Sequence, residues 1–163
     1  MRLVSAISYT VLAIIVVLTQ GCGKSGAPKD VFDMGEKVRV GALTYNVIET
    51  TWKSQLGEFP SARVPERNFL LIRVSVTNGG GTDRTMPALE VENSNGDSFT
   101  EVADGRGVDG WFGLIRRLSP AATDEGWVLF DVPTNAYRLK LSDPDSDSPR
   151  STFINIPLHM PES

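Results

Sequence analysis

Few residues of this sequence have the type and spacing to do chemistry. The acidic run Asp143-Pro144-Asp145-Ser146-Asp147 is the first of them. Carboxylates at alternate positions open a calcium-binding loop, because hard oxygen donors set around one turn share a cation. Such a loop needs Gly at its sixth position and Glu at its twelfth, where this sequence has Ser148 and Ile154. The run is therefore expected to be a solvated connection, with no metal. His159 and Met160, with Met34 and Met86 elsewhere, carry imidazole and thioether donors suited to a soft metal such as copper(I). Nothing in their spacing gathers them. With one His and one Cys in the chain, neither Ser-His-Asp nor Cys-His catalysis is supported, and no enzyme activity or cofactor is expected. Gly105-Arg106-Gly107-Val108-Asp109-Gly110 is rich in glycine but lacks the strand-to-helix setting that aims amides at a phosphate. It is expected to be a mobile loop, with Arg116 and Arg117 after it as surface charges at a strand end.

The single cysteine, Cys22, is placed more tellingly. Behind Met1 and Arg2 runs an apolar stretch, Leu3 to Leu18, the charged and hydrophobic regions of an export signal. It is short for a membrane span, which needs about 20 residues. An exported protein with one cysteine has no internal disulfide, so Cys22 is free, bridged between chains, or modified. The segment Leu18-Thr19-Gln20-Gly21-Cys22-Gly23 resembles the lipobox of bacterial lipoprotein precursors. That resemblance implies cleavage before Cys22, a diacylglyceryl thioether on its sulfur and an acyl group on its nitrogen. Each buried methylene contributes about 0.8 kcal/mol, and stable anchoring takes more than one acyl chain.

The expected organisation is a signal peptide over residues 1–21, a flexible spacer over 22–31 and one β-domain over 32–160. Gly23 to Asp30 is small and polar and contains Gly and Pro, as a spacer should. Beyond it the chain alternates apolar and polar residues in short runs. Leu43, Tyr45 and Val47 share one face of a strand over Leu43 to Thr51, and Leu70, Ile72, Val74 and Val76 share one face over Asn68 to Asn78. Further runs occupy Glu36 to Val40, Met86 to Glu92, Ser98 to Val102, Gly126 to Val132, Tyr137 to Leu141 and Thr152 to Leu158. Asn93-Ser94-Asn95-Gly96-Asp97 is a hairpin-type turn. With no helical period of useful length, the pattern predicts an all-β, immunoglobulin-like sandwich of about seven to nine strands. The segment Trp52 to Arg67 is too polar and Pro-rich for a strand yet carries Trp52, Leu56 and Phe59. Long loops on a rigid sandwich often carry function, so Trp52 and Phe59 are the candidate interaction residues. The competing expectation is that both fold back to cap the core.

Three stretches resemble the immunoglobulin-like domain of bacterial lipoproteins and secreted proteins in the telokin-like, immunoprotective-extracellular-protein family. They are Gly35 to Val38 with Leu43 to Val47, then Asn68 to Asn78, and Leu118-Ser119-Pro120 leading to Gly126–Pro133 and Tyr137–Leu141. Members often carry Pro-Gly where this chain has Pro120-Ala121. The resemblance implies fold and an extracytoplasmic location but no reaction. The net charge of −4 gives no reason to expect nucleic acid. The expected function is a non-enzymatic, lipid-anchored binding module at the membrane, with an unidentified protein or small ligand as partner. The second expectation is a periplasmic ligand carrier or soft-metal carrier using His159 and Met160.

Overall fold

The computed structural model describes residues 30–143 and 151–159. Cys22, the signal segment, most of the spacer, Asp145, Asp147 and Met160 lie outside the described residues. The central strand is β4 (Phe69–Asn78), where β-branched and aliphatic residues alternate with polar ones. Leu70, Ile72, Val74 and Val76 are fully buried on its inner face. It pairs antiparallel with β3 (Leu43–Lys53) on one side and β9 (Thr123–Asp131) on the other, and β2 (Val38–Val40) adds a short edge beyond β3.

The second sheet has the order β1 (Val31–Phe32), β11 (Thr152–Ile156), β10 (Tyr137–Leu141), β6 (Glu90–Glu92) and β7 (Ser98–Thr100). A two-stranded ribbon of β5 (Arg84–Met86) and β8 (Arg116–Leu118) is a third sheet. The inner rows meet in one core that includes Tyr45, Val47, Met86, Leu118, Val128, Phe130, Leu139 and Ile154. The architecture is the expected all-β sandwich. The described residues contain eleven strands, several more than the alternation shows, because two- and three-residue strands such as β1, β5 and β8 are too short to display a period.

Strand β3 continues two residues past its expected end, and a bulge explains why. Val47 pairs with Val74 and Glu49 with Arg73, leaving Ile48 as an extra residue. One inserted residue reverses which side chains face the core. Tyr45 and Val47 point inward before it, and Trp52, opposite the buried Leu70, joins the core after it. Without the bulge Trp52 would belong to the outer row.

The outer face of the first sheet is also covered at one end. Phe69, Leu71 and Leu129, all on the outer rows of β4 and β9, pack with Leu56 as a second buried cluster flanked by Val102, Val108 and Trp127. The segments 54–68 and 101–112 form this cover. Val102 N–H donates to Leu129 C=O at 2.7 Å, and Phe112 N–H to Trp127 C=O at 2.9 Å. The glycine-rich stretch expected to be a mobile loop is therefore a packed layer. A Cβ on Gly105 would fall 2.0 Å from the Trp111 ring, so only glycine fits against that indole.

Candidate functional site

The connection between β3 and β4 leaves the sandwich beyond Trp52 and Lys53, the last two residues of β3. Trp52 faces Tyr137 with ring centroids 6.4 Å apart, and Phe99 meets the same tyrosine edge-on at 6.0 Å. Tyr137 donates its hydroxyl to Pro133 C=O at 2.7 Å, and burial of the ring raises its pKa. These aromatic rings close the end of the core. Trp52 thus takes the core-capping place, half-buried, rather than a place on the loop.

The loop has a rigid frame. Leu56 and Arg63 exchange backbone hydrogen bonds of 2.9 and 2.8 Å, making a small closed turn, and Leu56 sits in the second cluster. Gly107, at φ +81°, lets the neighbouring segment press on Leu56, where a Cβ would come within 3.0 Å of the leucine's own Cβ. Arg63 lies over the Phe69 ring at 5.3 Å and donates to Asp104 C=O at 2.5 Å. The Asp104 carboxylate is held below its usual pKa by the backbone N–H of Arg106, then by that arginine's side chain, with Arg63 contributing. At the other root of the loop, the N–H groups of Glu66 and Arg67 donate to Asp131 at 2.7 and 2.9 Å.

What this frame presents is apolar. Phe59 is 91% exposed and Val64 73%, while Leu56 between the same roots is 2% exposed. Phe59 and Trp52, paired by the sequence as candidates, are therefore separated by the structure into a surface residue and a core residue.

The opposite end is polar. Asp83, Arg84, Thr85, Ser142 and Asp143 line a cleft of about 350 Å³ beside the β2–β3 turn. Gly41, at φ +59°, lies against Asp143, whose Oδ2 a Cβ would meet at 2.1 Å. The Asp143 charge also reaches the buried Tyr45, whose pKa is pushed up first by burial and then by that charge, with Arg116 opposing. Arg116 corrects the expectation of a surface charge, because it is an inward residue of β8 with its side chain wholly buried. It pairs with the equally buried Glu101 and donates Nε to Gly113 C=O. Glu101 also accepts the N–H of Leu89 at 3.0 Å. The next residue, Arg117, is a surface charge as expected, bound to Asp83 at 2.8 Å. Sequence reasoning missed the Glu101–Arg116 pair. The one available signal was that Arg116 and Leu118 occupy the same parity as the row ahead of a turn.

His159 is exposed after β11, while Met86 is buried in the core and Met34 packs against it. The structure does not bring these three together. Among the described residues no three His, Cys, Asp or Glu side chains converge on a metal position.

Residues 32–149 match the profile of the family described as Domain of unknown function (DUF4352). No curated protein matches the sequence. Three solved structures share the fold. The yjhA protein from Bacillus subtilis is 16% identical, with a TM-score of 0.58 over 77% of this chain and 98% of its own. A candidate lipoprotein of the same species, ycdA, is 12% identical with a TM-score of 0.56, over 75% of this chain and 38% of its own. The secreted protein MPT63 from Mycobacterium tuberculosis is 13% identical with a TM-score of 0.54, over 80% of this chain and 98% of its own.

Proposed function

This chain belongs to the DUF4352 family of domains of unknown function, and from that premise we propose that it is a non-enzymatic, lipid-anchored extracytoplasmic module that binds through the loop over residues 54–68. The observation that carries the reading is the contrast within this loop. Its roots and Leu56 are fixed, yet Phe59 is 91% exposed. A bulky apolar side chain on a preorganised frame suits an interface anchor, because little conformational freedom is lost on binding.

Polarity of the fold supports the same reading. Strand β1 runs parallel to β11, which ends at Ile156 opposite Tyr137. Tyr137 touches Trp52, so β1 points toward the loop end, and Asp30 lies at the other end. A tether joined through Asp30 leaves the loop facing away from the membrane, on a sandwich whose ten-residue central strand spans roughly 30 Å. The lipobox around Cys22 supplies the tether. The lipoprotein and secreted descriptions of two fold relatives, and the telokin-like pattern of strands, agree with an extracytoplasmic site. The partner is a protein or small ligand with apolar surface.

The test is crosslinking in intact cells with the parent and with Phe59→Ser/Val64→Ser. The expected result is a crosslinked product that the double variant loses while keeping its thermal midpoint. Identical products from both would refute the loop as the binding site. For the anchor, Cys22→Ser should move the protein from the membrane to the soluble fraction; an unchanged membrane fraction refutes lipidation.

A further inference from the structure

Strand β3 is longer than its neighbour on the outer side. Strand β2 pairs only with Leu43, Thr44 and Tyr45, and the N–H of Gly35 bonds Val47 C=O at 2.9 Å. Past the bulge, Glu49 to Lys53 pair with β4 alone. Among the described residues no strand or backbone group takes their other side. This is a five-residue sheet edge of Glu-Thr-Thr-Trp-Lys, rich in residues that favour strands.

We propose that this edge is a self-association surface, on which a second copy of the chain lays its own Glu49 to Lys53 antiparallel about a two-fold axis through Thr51. An open row of backbone N–H and C=O groups is matched by an extended backbone, which sets the class of partner. The charges then choose the copy. In this register Glu49 of each chain faces Lys53 of the other, Thr51 faces Thr51, and Thr50 faces Trp52. Opposite charges and Thr–Thr contacts are favourable directly across an antiparallel pair. Parallel pairing in register sets Glu49 on Glu49 and Lys53 on Lys53. Sliding the antiparallel register by four residues does one or the other.

Among the described residues, the side chains of the edge leave room for this pairing. Glu49 is 3.7 Å from Arg73, which holds Glu125 more closely at 2.5 Å, so the glutamate is shared rather than spent. The Trp52 ring is turned to the core against Tyr137 and leaves the edge clear. A two-fold axis uses the same edge on both copies and so leaves neither edge open, which confines the assembly to two chains instead of an open fibre.

The test uses the full chain in cells with Thr51→Cys. Residues directly opposite in an antiparallel pair have Cα atoms about 4.5–5.5 Å apart, inside the range a disulfide spans. Background from Cys22 is read from the parent, and Ser98→Cys on the distant strand β7 is the control. We expect an oxidised product of twice the chain mass for Thr51→Cys only. Adding Glu49→Lys should reduce it about tenfold, and adding Lys53→Glu as well should restore it. Thermal midpoints confirm that each variant folds. The proposal is overturned by a Thr51→Cys yield no greater than that of Ser98→Cys, by a product containing another polypeptide, or by a charge exchange that does not restore pairing.

Discussion

Ala121 stands at φ +62°, in the left-handed region where glycine is at ease and a Cβ is not. A residue without a Cβ would sit there free of that strain. Ala121→Gly should therefore stabilise the domain by up to about 1 kcal/mol, seen as a higher midpoint in chemical denaturation. The Glu101–Arg116 pair predicts a larger and opposite effect. Arg116→Ala leaves a buried carboxylate alone and should cost about 3–5 kcal/mol, while Arg116→Met with Glu101→Leu should cost far less. Comparable losses from both would show that packing rather than charge compensation governs the site. Tyr45 gives an alkaline signature. Its folded-state pKa lies above the unfolded value of about 10, so its contribution is complete below that pH and is lost as pH rises beyond it. Tyr45→Phe should flatten stability against pH in that range.

At the scale of elements, the charge network around the loop predicts acid sensitivity. Asp104 has a folded-state pKa below the usual carboxylate value, so its contribution is present above that value and is lost as pH falls through the folded one. Protection factors of the Leu56 and Arg63 amides, corrected for the intrinsic pH dependence of exchange, should fall below about pH 4, and Asp104→Asn should bring the same loosening at neutral pH. These elements also show what a sequence can and cannot reveal. Strand β4 was legible because its alternation runs unbroken through four buried aliphatics. Trp52 was legible only as either loop or core cap, because the bulge at Ile48 changes the parity of everything after it, and no residue type announces that insertion. Phe69, Leu71 and Leu129 looked like outward positions, and became buried only because two loops form a further layer over them. Arg116 is buried by a partner from another segment, which local pattern does not register.

For the molecule as a whole, the fold separates its two ends by character. The end where Asp30 enters carries the cleft with Asp83, Arg84 and Asp143, and the end where β3 finishes carries Phe59 and Val64. Lengthening the spacer before Asp30 should therefore leave binding by the loop intact, whereas attaching the anchor directly after Ile156, where β11 ends beside Tyr137, should hinder it. Accessibility of Phe59→Cys to a membrane-impermeant thiol reagent on intact cells would measure the difference.

The small cluster of Leu56, Phe69, Leu71 and Leu129 lies on the far side of the sheet from the main core. Its free energy of opening is then its own. Native-state exchange should resolve a subglobal unfolding unit made of residues 54–68 and 101–112, released well below the denaturant concentration that melts β4. Such a unit lets the contact loop be exchanged, tuned or lost over evolutionary time while the sandwich that carries it stays whole.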